Sequence, residues 1–311
     1  MRKFIKSIPM AICGLSLALA ALGNLLLPLP HGQAIRYICG ILSLVVLIIF
    51  GMKVFFDWPH AKEELKTPVP LSVLPTATMA IMLLSVYIRP YAGHLAVGIW
   101  YAALAAHICI MLVFIRRFVV GFKLGAVFPS WFIAGVGIAA ASVTAPAMGA
   151  VFIGQIAFYV GLALYFVILP LVVLRMNRVR VFPEPARKTV AIFTAPMSLL
   201  VAGYFSSFGA YGQVNPTLVY IMLAIVAISY IYVSCMMFSL LRIKFYPTYS
   251  GFTFPYVISA AAFRLGANFL ATRHGLYFLI TIADVAMWIA VAVVVFVIQH
   301  YIRYFRFWLK F

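Results

Sequence analysis

Gly251-Phe-Thr-Phe-Pro-Tyr-Val-Ile-Ser-Ala-Ala-Ala262 is the stretch from which the architecture can be read, with Phe254-Pro255 at its centre. It is an aromatic-proline entry into a helix of small apolar residues. A proline inside a helix removes one backbone hydrogen bond and bends the axis. In a membrane such a break is tolerated where neighbouring helices, water or a cavity satisfies the freed carbonyl. Phe254 therefore stands beside a predicted bend.

Composition places that stretch in a membrane. Of the 311 residues, 66% are hydrophobic and only 9% charged, and the mean hydropathy is +1.13. These values exclude a water-soluble globular protein and point to an all-α polytopic membrane protein, one transmembrane domain over residues 1–311. A formal charge of +18 would suggest nucleic acid in a soluble chain. Here the basic residues sit in short loops between apolar spans, as orientation signals do, and nucleic-acid binding is set aside. Cys13, Cys39, Cys109 and Cys235 fall inside apolar runs without CxxC spacing, which argues for buried thiols rather than a disulfide framework or metal site. The apolar run after the basic N-terminus reaches Leu29 without a clean small-x-small cleavage site, so a retained first span is expected rather than a signal peptide.

A crossing of the bilayer core takes about 20 apolar residues. By that criterion ten helices are expected: Ile8 to Leu29, Ile35 to Phe56, Leu71 to Ile88, Ala92 to Ile115, Phe128 to Pro146, Ala150 to Leu174, Val190 to Phe208, Pro216 to Leu241, Gly251 to Ala271 and Leu276 to His300. The charges test the count. One set of alternate segments holds Arg2, Lys3, Lys6, Lys53, Lys62, Lys66, Arg116, Arg117, Lys123, Arg175, Arg178, Arg180, Arg187, Lys188, Arg242, Lys244, Arg303, Arg306 and Lys310, nineteen of the 23 basic residues. The other set holds Arg36, Arg89 and Arg273. Positive charge marks the cytoplasmic side, so the asymmetry predicts an even number of spans with both termini cytoplasmic. Five hairpins closed on the outside follow.

Prolines recur near the start of each odd-numbered helix, at Pro9, Pro75, Pro129, Pro196 and Pro255, an internal repeat. They are expected to kink those helices, although prolines also favour the first turn of any helix. The odd helices concentrate Gly, Ser, Thr and Asn, while the even ones are bulkier. Small and hydroxylated residues let helices pack closely and also line wet pathways. The pattern predicts an inner ring of five odd helices around an axis, with Gly14, Thr76, Gly135, Ser142, Phe193, Ser198 and Ala261 as candidates for lining a pore.

Of five carboxylates only Asp284 lies at mid-membrane depth, where an unpaired ion is expensive. With His274 taken as the turn, Arg264 is ten residues before it and Asp284 ten after, which sets them level on antiparallel helices as an intramembrane ion pair. The competing roles, anion binding by Arg264 or proton relay by Asp284, are weaker. At about 100° per residue Arg264 lies roughly 80° from the face carrying Phe254, Ala261 and Asn268. His94 and His107 are not on one face and do not suggest a metal pair. Gly135-Val-Gly-Ile resembles a close-packing element rather than a phosphate loop. No constellation points to an enzyme, a cofactor or a metal.

Ten helices, prolines in the odd ones, Gly14-Leu-Ser-Leu-Ala-Leu-Ala-Ala-Leu-Gly-Asn24, Phe128-Pro-Ser-Trp-Phe132, Phe193-Thr-Ala-Pro196 and Thr253-Phe-Pro255 together resemble the TehA/slow-anion-channel family of tellurite-resistance and dicarboxylate transporters. The likeness spans nearly the whole chain. It implies a bacterial inner-membrane protein, a quasi-fivefold helical pore in each protomer, a homotrimer, and an occluding phenylalanine that falls on Phe254. It also implies passive conduction of small anions. In the family that phenylalanine sits near mid-pore, whereas Phe254 is 19 residues from Arg273, roughly 28 Å along a helix. That height lies toward the cytoplasmic third unless the ninth helix begins near Tyr246 and bends at Pro255. Phe252 is the neighbouring alternative. Two further functions stay open: a secondary transporter or exporter of a C4-dicarboxylate, sulfite or toxic oxyanion, and a non-transporting receptor or scaffold.

Overall fold

The computed structural model describes residues 2–179, 184–209, 212–241 and 246–309, and every regular element in them is helical. Arg180, Arg242, Lys244 and Lys310, counted above among the loop cations, lie outside the described residues. The α-helices are α1 (Arg2–Ser7), α2 (Cys13–Leu25), α3 (Gly32–Phe56), α4 (Trp58–Glu64), α5 (Pro68–Val73), α6 (Pro75–Phe114), α7 (Trp131–Val136), α8 (Ala139–Thr144), α9 (Val151–Arg178), α10 (Glu184–Arg187), α11 (Ala195–Gly209), α12 (Pro216–Leu241), α13 (Ser250–His274) and α14 (Phe278–Leu309). Helix α6 is two legs, 75–91 and 94–114, because Ala92 (φ −125°, ψ 33°) and Gly93 (φ 7°, ψ −94°) leave the helical region between them.

Among the described residues seven helical stretches are long and apolar enough to cross a membrane, and Met10–Leu25 and Ala139–Met148 are shorter apolar helices. The chain is a multi-pass all-α membrane protein. Its helices fall into two classes by burial. Thr189–Gly209 and Ser250–His274 are 83% and 61% buried across their apolar windows, against 22–33% for the stretches containing α3, α6, α9, α12 and α14. Every residue of α2 except Asn24 is buried. The buried segments, together with α5 and α6, contact one another in a cycle: α2 against α6, α5 and α6 against α7, α6 against α8, α8 against α11, α11 against α13, and α13 back against α2. Outside them, α3 packs on α2, α9 on α7 and α8, α12 on α11, and α14 on α13.

Lipid chains are as apolar as Leu, so close contact rather than hydrophobic burial must hold these helices together. Glycines supply it. Tyr87 wedges between Gly23 and Gly40, where added Cβ atoms would lie 2.5 Å from its hydroxyl and 2.8 Å from its ring, and it donates to Ala20 O at 2.5 Å. Gly154 of α9 admits the neighbouring helices in the same way: a Cβ there would fall 2.5 Å from Ser207 Oγ and 2.8 Å from Ala145 Cβ. Gly154→Val is expected to lower thermal stability in detergent by about 1–3 kcal/mol. Gly51→Ala, with nothing within 4 Å of the new methyl, is expected to be neutral. Equal melting temperatures for the two variants would remove glycine-mediated approach as a determinant of the packing.

The five prolines mark helix starts more than bends. Pro75 is the first residue of α6 and Pro196 the second of α11, where the missing N–H has no intrahelical partner to lose. Pro9 and Pro129 precede their helices, Pro9 in an extended conformation. Of the five, only Pro255 stands within its helix, α13. The kinks expected at Pro9, Pro75, Pro129 and Pro196 are therefore joints, at which a 3-10 turn, short helix or loop gives way to an α-helix. Cations expected in loops are likewise displaced into helices, Arg175 among them, buried within α9. Lys53 belongs to α3 and is buried, bound to Asp57 at 2.9 Å and Glu64 at 3.1 Å. Burial favours the neutral acid at Asp57, but the bonds from Lys53 and His60 outweigh it and hold the carboxyl below its ordinary range.

Candidate ion pathway

A cavity of about 50 Å³ lies inside the cycle of buried helices, room for a few waters at roughly 10–15 Å³ each. Segments of the cycle other than α8 line it: Ala11 and Gly14; Val69, Val73, Thr76 and Met79; Phe132, Ile133, Val136 and Gly137; Thr189, Ile192, Ala195, Pro196 and Leu199; Thr248, Ser250, Gly251, Phe254 and Pro255. None of these side chains is titratable. Phe254 is 7% exposed and faces this space. Phe252 does not line it, being buried with its ring 5.7 Å from that of Tyr249. Helix α13 begins at Ser250 after a 3-10 turn over Pro247–Tyr249, so Phe254 occupies its second turn.

The lining comes largely from helix beginnings. Gly14 follows the first residue of α2, Thr76 that of α6, and Phe132 that of α7; Ala195 and Pro196 open α11, and Ser250 and Gly251 open α13. No first turn of these helices carries an acidic residue. Most of these starts continue helical turns that precede them, and the cavity walls are apolar, with no charged side chain among the described lining residues.

The residues expected to line a pore divide accordingly. Gly14 and Thr76 face the cavity, as do Pro196 and Pro255. Gly135, Ser142, Phe193, Ser198 and Ala261 are not among the lining residues. Gly135 faces α9, its missing Cβ pointing at Ile168 Cδ1 from 2.6 Å. Phe193 lies behind Phe132, ring centroids 5.7 Å apart, and faces an outer groove with Tyr165 and Tyr232. Ala261 is half-buried farther along α13.

Ser142 and Ser198 instead tie one helix to the next, and so do hydroxyls at the other junctions of the cycle. Ser142 Oγ donates to Gly203 O (3.0 Å) and Ser207 Oγ returns a bond to Ser142 O (2.7 Å), joining α8 to α11. Ser198 and Ser259 hydroxyls meet at 3.0 Å between α11 and α13. Ser250 Oγ donates to Ala11 O at 2.6 Å, linking α13 to the turn before α2. Thr76 Oγ1 lies 3.0 Å from Cys13 Sγ between α6 and α2, and Ser72 Oγ donates to Ser130 Oγ at 2.7 Å across α5 and the start of α7. Such bonds contribute about 0.6 kcal/mol each on average.

Arg264 and Asp284 lie away from the cavity. The Arg264 Nη2 donates to Asp284 Oδ1 between α13 and α14, with Met287 beside it. Sequence reasoning passed over Met79, Gly137 and Leu199 as lining residues. For Gly137 a signal existed: two glycines at Gly135-Val-Gly137 cannot share one helix face, so they had to serve different neighbours.

No curated protein matches the sequence. A narrow, carboxylate-free cavity ringed by helix starts nevertheless agrees with a match across residues 5–297 to the family model SLAC1, described as voltage-dependent anion channel, and the chain belongs to that family.

Proposed function

We propose that the chain is a gated channel for small monovalent anions, with the cavity inside the buried helices as its path and Phe254 as its plug. The observation that carries this reading is an apolar cavity without carboxylates inside the buried helices. The basic loops at the cytoplasmic side attract anions, and the absence of fixed negative charge in the cavity does not repel them. Among the described residues no basic side chain lines the cavity, so selection rests on width and on the cost of dehydration, and larger or divalent anions pass less readily.

The topology that fits has ten crossings. Counting the legs of α6 separately and adding Met10–Leu25 and Ala139–Met148 to the longer stretches gives that number, in quasi-fivefold hairpins with the odd-numbered spans inside. An even number and the basic loops put both termini in the cytoplasm of a bacterium with the chain in its inner membrane. Protomers assemble as a homotrimer, each with its own path. Pro9, Pro75, Pro129, Pro196 and Pro255 set the joints, and Arg264–Asp284 is a structural ion pair.

Purified protein in proteoliposomes is expected to pass nitrate and chloride down their gradients, and sulfate and malate far more slowly, without a pH gradient. Obligatory exchange of a dicarboxylate or sulfite driven by a pH gradient would favour the transporter function instead. No flux of any anion, in the wild type or Phe254→Ala, would favour a receptor or scaffold.

A further inference from the structure

His107, on the second leg of α6, is completely buried at membrane depth. Its Nδ1 lies 2.9 Å from Thr78 Oγ1, which itself donates to Pro75 O at 2.8 Å. The Thr78 hydrogen being committed, the hydroxyl oxygen accepts and Nδ1 carries the imidazole hydrogen. Nε2 is then a bare acceptor, and it has no hydrogen-bond partner. A buried polar atom left unpartnered is costly and rare enough to call for a reason.

The wall of the cavity supplies one. Met79 and Gly137 both line the cavity, and His107 stands directly behind them: a Cβ on Gly137 would lie 3.1 Å from His107 Cε1 and 3.0 Å from Met79 Sδ. The absent side chain of Gly137 and one flexible thioether are what separate the imidazole edge from the path. Among the described residues no other titratable or charged group faces it. Helices α7 and α8 contain none; Tyr87 and Arg89 of the first leg are bonded to Ala20 O and Ala147 O; on its own leg His94, Tyr101 and Cys109 are exposed.

We propose that His107 is a proton-binding site linked to anion occupancy of the adjoining cavity, so that a proton and an anion are taken up together. An imidazolium behind an empty apolar wall is uncompensated, whereas an anion beside Gly137 and Met79 supplies its counter-charge. The proton enters with the water around the anion, binds Nε2, and leaves when the anion leaves. By reciprocity the anion is bound more tightly as pH falls. This rests on the anion-channel reading and adds a proton to it.

Two measurements test it. Nitrate flux in proteoliposomes is expected to rise about fivefold or more from about pH 8 to about pH 5, and His107→Asn, which keeps a donor toward Thr78, is expected to flatten that profile. Wild-type protein in weakly buffered detergent is expected to take up protons when chloride is added, and the His107→Asn and His107→Gln variants to take up fewer. Absence of chloride-dependent proton uptake by the wild type overturns the linkage even if neither variant folds. Coincident pH profiles for wild type and a folded variant overturn it while leaving the channel intact. Absence of wild-type flux at every pH sinks the channel reading itself.

Discussion

Phe254→Ala is expected to raise nitrate or chloride flux by about tenfold or more, because it removes one of the two phenylalanines from a path with room for only a few waters. The ring faces the cavity together with Gly14, Thr76, Gly137 and Leu199 from the other buried segments. Truncating it therefore widens a path whose other lining side chains, Phe132 apart, are small or flexible. Ordinary core packing makes the opposite prediction. A phenylalanine enclosed on all sides costs about 3–5 kcal/mol when cut to alanine, and flux would fall with folded protein. Flux per folded protomer separates the two: gating requires it to rise, and unchanged or lower flux in a stable variant would remove Phe254 from the path. Phe252→Ala serves as the control. Its ring packs on Tyr249 outside the lining, so it is expected to lose stability without gaining conductance.

The other large effect concerns Arg264 and Asp284. Arg264→Ala leaves Asp284 without its partner at membrane depth, at a cost of up to about 2.5–3.5 kcal/mol, the figure for a lone Asp at a helix centre. Asp284→Asn in the same chain is expected to recover most of the loss, since the stranded charge is gone. Neither residue lines the cavity, so nitrate flux per folded protomer is expected to stay within about twofold across the cycle. A flux that vanishes in Asp284→Asn while melting temperature holds would instead make that carboxyl part of the transport path.

The sequence carries the outline of this fold because lipid imposes few choices. Long apolar stretches must be helices, and runs such as Leu42 to Phe50 or Val291 to Val297 are too bulky to suit the small-residue packing of the inner class. The opposition of Arg264 and Asp284 follows from equal spacing about His274. The lining is less legible, and for a physical reason. Helix α2 is buried on every side but at Asn24, and a path with apolar walls gives its lining no polarity that neighbouring contacts lack. Periodicity therefore cannot distinguish the face toward the axis from the face toward the next helix. Ser142 and Ser198 look like lining residues by composition, yet their hydroxyls are engaged by Gly203, Ser207, Thr194 and Ser259. In a medium without water, a hydroxyl satisfied by the next helix is worth keeping wherever two inner helices touch. His107 is not marked by the sequence, where it shares no face with His94; its significance depends on Gly137, thirty residues away.

That anions cross through the middle of the buried helices can be tested by modification from within. On a background carrying Phe254→Ala, Cys109→Ser and Cys235→Ser, a cysteine is placed at Leu199, which lines the cavity, or at Ile228, which is exposed on α12. Each protein is treated with a negatively charged methanethiosulfonate reagent, and nitrate flux is followed. The account predicts that flux through the Leu199→Cys protein is lost on treatment and restored by a reducing agent, while the Ile228→Cys protein is unaffected. Undiminished flux through fully modified Leu199→Cys protein would contradict it.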